Sequence, residues 1–437
     1  MKSPSAFAVE PSTLWNRDFG LYWLGLTSAA LGDAFVLIAL PFLVLGLSGD
    51  PKAVALTLLI ASLARFAGPI IGLLADRFPV RFALTLSGAV RAALFAILGA
   101  LALTGTLPLL AIYIVAFLNG LVTTYVFAAG NVAVPALVPR AQLARANSLT
   151  QAALMGVPLL GLGVAGALVG VLGPAATFLF ASPLLVLQGL LCAFVRFDRY
   201  RAGSVADSGP NPSIVSDLRA GLGSLFRAGP LALVLPISLL VNAALILLAA
   251  LMPVLMERLG RGAEGYGMFE MLLSVGMLAG ILAVSAIGAR LAPQHGISVA
   301  QLVMAGGFGV MAVGGFAWLL GGAVVLGLGI GFTQVAAITL LQLAIPEGMR
   351  GKVMGAIVST NAIGQSAGAA LAAAVPGGLP AQTIFIVSAV AVLTCAAVWI
   401  VAAGGLPLRV RPVLHGSPLL QPHDQQERYS WENDAEQ

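Results

Sequence analysis

Long apolar runs separated by short polar intervals repeat along the chain as far as residue 403. A membrane span needs about 20 mostly apolar residues, because its backbone must be hydrogen-bonded internally across roughly 30 Å of hydrocarbon. Twelve runs satisfy this: 19–47, 53–75, 82–103, 108–130, 148–171, 174–195, 230–256, 266–288, 297–318, 321–345, 352–374 and 381–403. Several abut closely, at Gly173-Pro174 and from Leu319 to Gly322. The runs are far longer than the roughly ten-residue alternating strands of a membrane barrel. The pattern predicts an all-α membrane protein with twelve transmembrane helices.

Composition agrees. Of 437 residues, 59% are AVILMFWYC and 9% are charged, against about 25% charged in a soluble domain. Mean hydropathy is +1.00. Readings as a soluble enzyme or a nucleic-acid binder are excluded, and the net charge of +5 does not signal a polyanion partner. Lys and Arg gather in cytoplasmic loops of membrane proteins. With the N-terminus inside, seventeen basic residues fall on cytoplasmic segments, while Lys52, Arg258 and Arg261 fall on the opposite side and Arg65 and Arg91 within spans. This bias predicts a multi-pass inner-membrane protein with both termini cytoplasmic. No removable signal peptide is evident at the N-terminus. Cys192 and Cys395 each sit inside an apolar run, so neither a disulfide framework nor a cysteine metal site is expected.

The longest polar stretch, 196–229, divides the chain into an N-terminal half, 1–195, and a C-terminal half, 230–403, each of six spans. Within it Ile214, Leu218, Leu222, Leu225 and Phe226 recur at helical spacing, predicting an amphipathic helix on the cytoplasmic face. The tail 404–437 is polar and is expected to be disordered. A weak internal repeat relates the halves. Ile71-Gly72-Leu73 after span two matches Ile287-Gly288-Ala289 after span eight, and Val138-Pro139-Arg140 after span four matches Ile345-Pro346-Glu347 after span ten. Such repeats flank a central site in secondary transporters.

The most informative local pattern is Gly72-Leu73-Leu74-Ala75-Asp76-Arg77-Phe78-Pro79-Val80-Arg81. It resembles the loop signature of the major facilitator superfamily, roughly G-x-L-A-D-R-x-G-R-R, at Gly72, Leu74, Ala75, Asp76, Arg77 and Arg81. Pro79 and Val80 depart from it and reduce the loop's charge. Physically, Gly72 permits close helix approach, Asp76 can accept from a helix N-terminus, and Arg77 and Arg81 can pair with carboxylates. The plainer alternative is that the arginines anchor helix ends. Gly32-Asp33 with Ala39-Leu40-Pro41, Leu143-Ala144-Arg145-Ala146-Asn147 and Pro346 to Gly355 are similar to the branch containing macrolide-type drug exporters and enterobactin-type siderophore exporters. The resemblance covers nearly all of 15–403. It implies two pseudo-symmetric six-helix halves and a proton-coupled exporter of a small molecule, working as a monomer without a cofactor. It leaves the cargo open. Gly156 to Gly166 in span five is only faintly like an antiporter motif, since Val157 stands before Pro158, and a tightly packed kinkable helix explains it as well.

Ionisable residues inside spans cost several kcal/mol unless paired or hydrated. Asp33, Arg65 and Arg91 are the deep ones, at roughly 21, 15 and 14 Å from the cytoplasmic face by helical rise. Depth suggests Asp33 and Arg65 as an ion pair serving proton coupling, with a static salt bridge as the alternative. Arg91 could reach Asp76 and, with Gly72, Asp76, Arg77 and Arg81, form a conformational gating motif. Glu270, near the outer end of span eight, reads as interfacial. The three histidines lie outside the spans, so coupling must use a carboxylate. Asn119, Gln151, Asn242, Gln334, Asn361 and Gln365 are candidates to line a substrate cavity, or to bond between helices. No nucleophile-base arrangement, P-loop or metal-ligand spacing is present, so neither an enzyme nor a metal centre is expected. Within transport the alternatives are export of a siderophore or other anionic metabolite and uptake of a metabolite; a non-transporting sensor or scaffold on the same fold is a different class.

Overall fold

The structure, a computed structural model, describes residues 15–67, 71, 78–139, 142–197, 223, 229–287, 292–345, 347–374 and 379–403. The N-terminal half contains α1 (Arg17–Ser48), α2 (Pro51–Leu63, continued by a 3-10 turn at Ala64–Ala67), α3 (Val80–Leu103) and α4 (Leu109–Leu137). It ends in a continuous stretch, Leu143–Ala193, that breaks at Gly173 into α5 (143–172) and α6 (174–193). The C-terminal half contains α7 (Val234–Arg258), α8 (Gly262–Ile287), α9 (Pro293–Ala312), α10 (Phe316–Ala344), α11 (Glu347–Ala374) and α12 (Ala381–Ala403).

Polar residues punctuate the chain where the helices start and stop. The Asn16 side chain accepts from the Phe19 amide at 2.8 Å and opens α1. Gly49, at φ 63°, closes it, and Asp50 with Pro51 starts α2 at once. Gly173 has φ 81°, a conformation that costs glycine little and other residues more, and so α5 and α6 meet without a loop. The corresponding break between α9 and α10 falls at Gly314-Gly315, with φ 85° and 86°, about five residues before the junction expected at Leu319 to Gly322. Two left-handed glycines ended the helix where apolar content alone gave no signal.

Nine of the described helices are long and apolar enough to cross a membrane. One of them is the continuous stretch that Gly173 divides in two. Of the remaining pair, α2 has only thirteen described residues, and α11 is diluted by Ser359, Thr360, Asn361, Gln365 and Ser366. The fold is an all-α membrane protein of twelve transmembrane helices in two pseudo-symmetric halves. The expected linker helix and the tail lie outside the described residues.

Pseudo-symmetry is visible in the packing. In the N-terminal half α3 packs on α4 and α6, and α2 on α4; in the C-terminal half α9 packs on α10 and α12, and α8 on α10. The seam between the halves obeys the same relation, since its main pairings are α5 with α8 and α11 with α2. We call the face where α1 begins and α12 ends the near face, and its opposite the far face. The seam belongs to the far side. Gly166 of α5 lies so close to Ala263 and Gly267 of α8 that a Cβ on it would sit 2.8 Å from the Ala263 carbonyl. Ala55, Ala250 and Ala372 form a small buried cluster of α2, α7 and α11 there. On the near side, α4 and α10 make no substantial contact with the opposite half among the described residues. Among the described residues the contacts between the halves gather toward the far face.

Candidate functional site

Two polar clusters occupy the interior, one in each half. In the N-terminal half, Arg91 of α3 is 2% exposed. Its guanidinium forms an ion pair with Asp33 of α1, and its Nε donates to Asn119 Oδ1 of α4 at 3.0 Å. The Phe95 ring lies 5.9 Å from the guanidinium carbon and covers it further. Asp33 is the open member, 49% exposed. Three helices that share no local sequence are thus joined at one charge. Burial of the arginine is tolerable because a carboxylate and an amide oxygen use its donors.

The pairing differs from the one depth suggested. Arg91, not Arg65, holds Asp33. Arg65 sits in the 3-10 turn that follows α2 and is exposed, and no hydrogen bond or ion pair links it to any described residue. Rise along a helix gives depth but not azimuth, and azimuth separates these two arginines. Arg91 likewise is committed to Asp33 and Asn119, deeper than the loop it was expected to reach. Gly72, Asp76 and Arg77 lie outside the described residues, while Arg81 is exposed in the first turn of α3.

In the C-terminal half the Asn242 amide of α7 donates to the Ser238 carbonyl at 2.9 Å and to Asn361 Oδ1 of α11 at 3.2 Å. Gln365 Nε2 donates to Asn242 Oδ1 at 3.2 Å, and the Ser238 hydroxyl bonds to Asn361 Oδ1. Gln365 Oε1 is buried without a partner among the described residues. Three of the six cavity candidates, Asn242, Asn361 and Gln365, therefore form one network, and Asn119 belongs to the other cluster. Gln151 and Gln334 are exposed and join neither. Ser238 escaped the sequence reading, although its spacing of four from Asn242 matches that of Asn361 and Gln365 on the facing helix. Ser62 and Ser366 escaped it too. Their hydroxyls are 2.8 Å apart and bridge α2 to α11 across the seam.

Glu270, expected at the interface, lies partly exposed on α8 one turn after Tyr266, which is 1% exposed inside the main hydrophobic cluster. Among the described residues there is no group of side chains able to hold a metal ion, and Cys192 and Cys395 are buried free thiols.

Known proteins resemble this chain in sequence and in fold. An uncharacterised transporter of Bacillus subtilis (strain 168), YkuC, is 24% identical over 360 residues, covering 78% of this chain and 81% of that protein. A nucleoside transporter, NupG, superposes with a TM-score of 0.74 at 12% identity over 89% of this chain and all of the other. A bacterial homologue of the iron transporter ferroportin in its inward-facing state gives 0.71 at 19% identity, covering 90% of this chain and 100% of that one. The family model described as Major Facilitator Superfamily matches residues 22–369, and the chain accordingly belongs to that superfamily of membrane transporters.

Proposed function

We propose that the protein is a secondary active transporter that exports a small hydrophobic or amphipathic molecule by alternating access, with protons entering in exchange. The observation that carries this reading is the asymmetry of the seam. The described contacts between the halves gather toward the far face, and each half carries its own polar cluster. With the near face taken as cytoplasmic from the positive-inside bias, this arrangement suits an exporter awaiting cargo from inside. Sequence resemblance to the drug- and siderophore-exporter branch supports the outward direction. Asp33 is the coupling carboxylate in this reading. Half exposed, it can exchange Arg91 for a proton, while Asn242, Asn361 and Gln365 offer hydrogen bonds to cargo. The gating motif at Gly72, Asp76, Arg77 and Arg81 would hold the near face in the alternate state.

One observation favours a second reading within transport. Arg65 is exposed and has no described anionic partner, which suits an anionic cargo such as a siderophore or metabolite. Everted membrane vesicles separate the alternatives. Lipophilic cations, neutral macrolides and carboxylate or catecholate anions are offered with and without an acid-inside gradient. Export driven by protons gives gradient-dependent accumulation of one class, lost in Asp33→Asn, with downhill exchange retained. Undiminished accumulation by Asp33→Asn would remove Asp33 from coupling, and gradient-driven release instead of accumulation would reverse the direction.

A further inference from the structure

We propose that the far face carries a phospholipid site, in which Lys52 and Arg258, one from each half, hold the phosphate of an anionic lipid of the far leaflet and so fasten the halves together there. The inference goes beyond the transport reading above and depends on neither the cargo nor the coupling ion.

Basic residues are scarce on this side of the protein. Of 22 lysines and arginines, only Lys52, Arg258 and Arg261 fall on far-side segments. Arg261 lies over the Phe316 ring, 4.8 Å from its centroid. The other two line a single cavity, although they belong to different halves. Lys52 is in the first turn of α2 and Arg258 in the last turn of α7, and both are exposed. Asp50 is the third charged residue of the lining. Its carboxylate already accepts from the Lys52 amide at 2.9 Å, as the cap of α2. Two cations against one capping carboxylate leave the rim positive.

Below the rim the cavity is apolar. Its floor is Ala55, Ala250 and Ala372, the buried cluster where α2, α7 and α11 meet, and Val254 and Ile384 add to its walls. Ala250 precedes Arg258 by eight residues on α7, so the floor lies about 12 Å beneath the rim. The rim itself is at the helix ends, where hydrocarbon gives way to headgroups. The enclosed volume is about 80 Å³, well short of the roughly 300–1,000 Å³ of a site for a drug-sized molecule. That is too small for a second cargo site and suits a thin chain. A narrow apolar shaft under a cationic mouth complements a ligand built in the same order, with phosphate above and hydrocarbon below. Guanidinium and ammonium groups both bind phosphate oxygens. A free anion would use the mouth and leave the shaft idle, whereas an anionic phospholipid uses both and is already at this depth.

The cavity straddles the seam. Lys52 and Ala55 come from the N-terminal half, and Ala250, Arg258 and Ala372 from the C-terminal half. A lipid held from both sides binds only while the halves meet at the far face. A ligand that prefers one arrangement shifts the population toward it, and linkage is reciprocal. Anionic lipid therefore favours the arrangement seen here, and parting of the halves at this face must release it.

The test uses the full-length protein, delipidated in mild detergent and titrated with dioctanoyl phosphatidylglycerol, dioctanoyl phosphatidylcholine or inorganic phosphate. Native mass spectrometry counts the bound molecules and gives their affinity. One phosphatidylglycerol is expected to bind tightly, with phosphatidylcholine weaker because its choline cation meets the basic rim. Lys52→Gln with Arg258→Gln should weaken that binding about tenfold or more, the loss of charge-assisted contacts to one phosphate. Leu251→Trp, which fills the shaft and leaves the rim intact, should weaken it as well. Equal affinity for phosphatidylcholine overturns the anionic lipid, and competition by inorganic phosphate at equal concentration reassigns the mouth to a free anion. Unchanged binding in the double variant overturns the site. Should that variant fail to fold, unchanged binding in Leu251→Trp overturns it by itself. Fastening of the halves is read in nanodiscs, with Cys192 and Cys395 replaced by alanine and spin labels on Thr106 and Val313, exposed residues at the far-face ends of the two halves. Distances should be shorter in phosphatidylglycerol than in phosphatidylcholine, and identical distributions overturn the fastening. None of these measurements involves cargo or a proton gradient, so the transport reading stands or falls separately.

Discussion

Arg91 shows how one residue sets the cost of a polar interior. It is buried with its charge shared between Asp33 and Asn119. Removing one member of a fully buried pair costs about 3–5 kcal/mol, because the survivor is left uncompensated. Here the two removals are unequal. Asp33→Asn strands the buried guanidinium, whereas Arg91→Leu leaves a half-exposed carboxylate that water can screen. Asp33→Asn is therefore expected to lower the melting temperature in detergent more than Arg91→Leu does, with the Asp33→Asn loss somewhat below the full range. Equal losses would mean that Asp33 is less accessible than its surface indicates. The sequence singled out Asp33, Arg65 and Arg91 as the deep charges, by composition alone. It could not say which arginine takes the carboxylate, because that depends on how three helices rotate about their own axes.

At the scale of elements, glycines decide how closely helices approach. Gly267 of α8 sits where a Cβ would lie 2.7 Å from the Leu162 carbonyl and 2.9 Å from Gly166 Cα, both backbone atoms of α5. Neither can move aside as a side chain would. Gly267→Ala is expected to cost about 1–3 kcal/mol by overpacking. Because the clash exists only while the seam is closed, the same substitution should populate an open far face and raise its accessibility to water-soluble thiol reagents. Gly306→Ala, on α9 with open space around it, is the control. It should be neutral or gain up to about 1 kcal/mol from helix propensity. If both variants behave alike in melting and accessibility, the α5–α8 contact does not hold the face shut. In the sequence, the glycines of span five read equally as a transport motif or as close packing. The structure assigns Gly163, Gly166 and Gly170 to contact with α8.

For the molecule as a whole, the seam is the moving part. Ser62 and Ser366 bridge it, 2.8 Å apart between hydroxyls, which makes them the pair of positions to crosslink. Ser62→Cys with Ser366→Cys should crosslink under mild oxidation, hold the far side closed and stop net transport, with activity returning on reduction. The native thiols are buried and do not compete. Full transport by the oxidised protein would show that the halves do not part along α2 and α11.

The twelve spans, the division into halves and the superfamily resemblance follow from the sequence alone. Hydrocarbon imposes a length on every crossing segment and forbids unpaired backbone, and both demands are local along the chain. Even the repeat between the halves survives as short matching stretches near residues 72 and 288. What only the tertiary structure decided is which polar groups meet. Asp33 goes to Arg91 and not Arg65, Ser62 finds Ser366 some 304 residues away, and Asn242 gathers Asn361 and Gln365 from the facing helix. Each outcome depends on azimuth and on contact between distant helices, and a one-dimensional pattern of apolar residues carries neither.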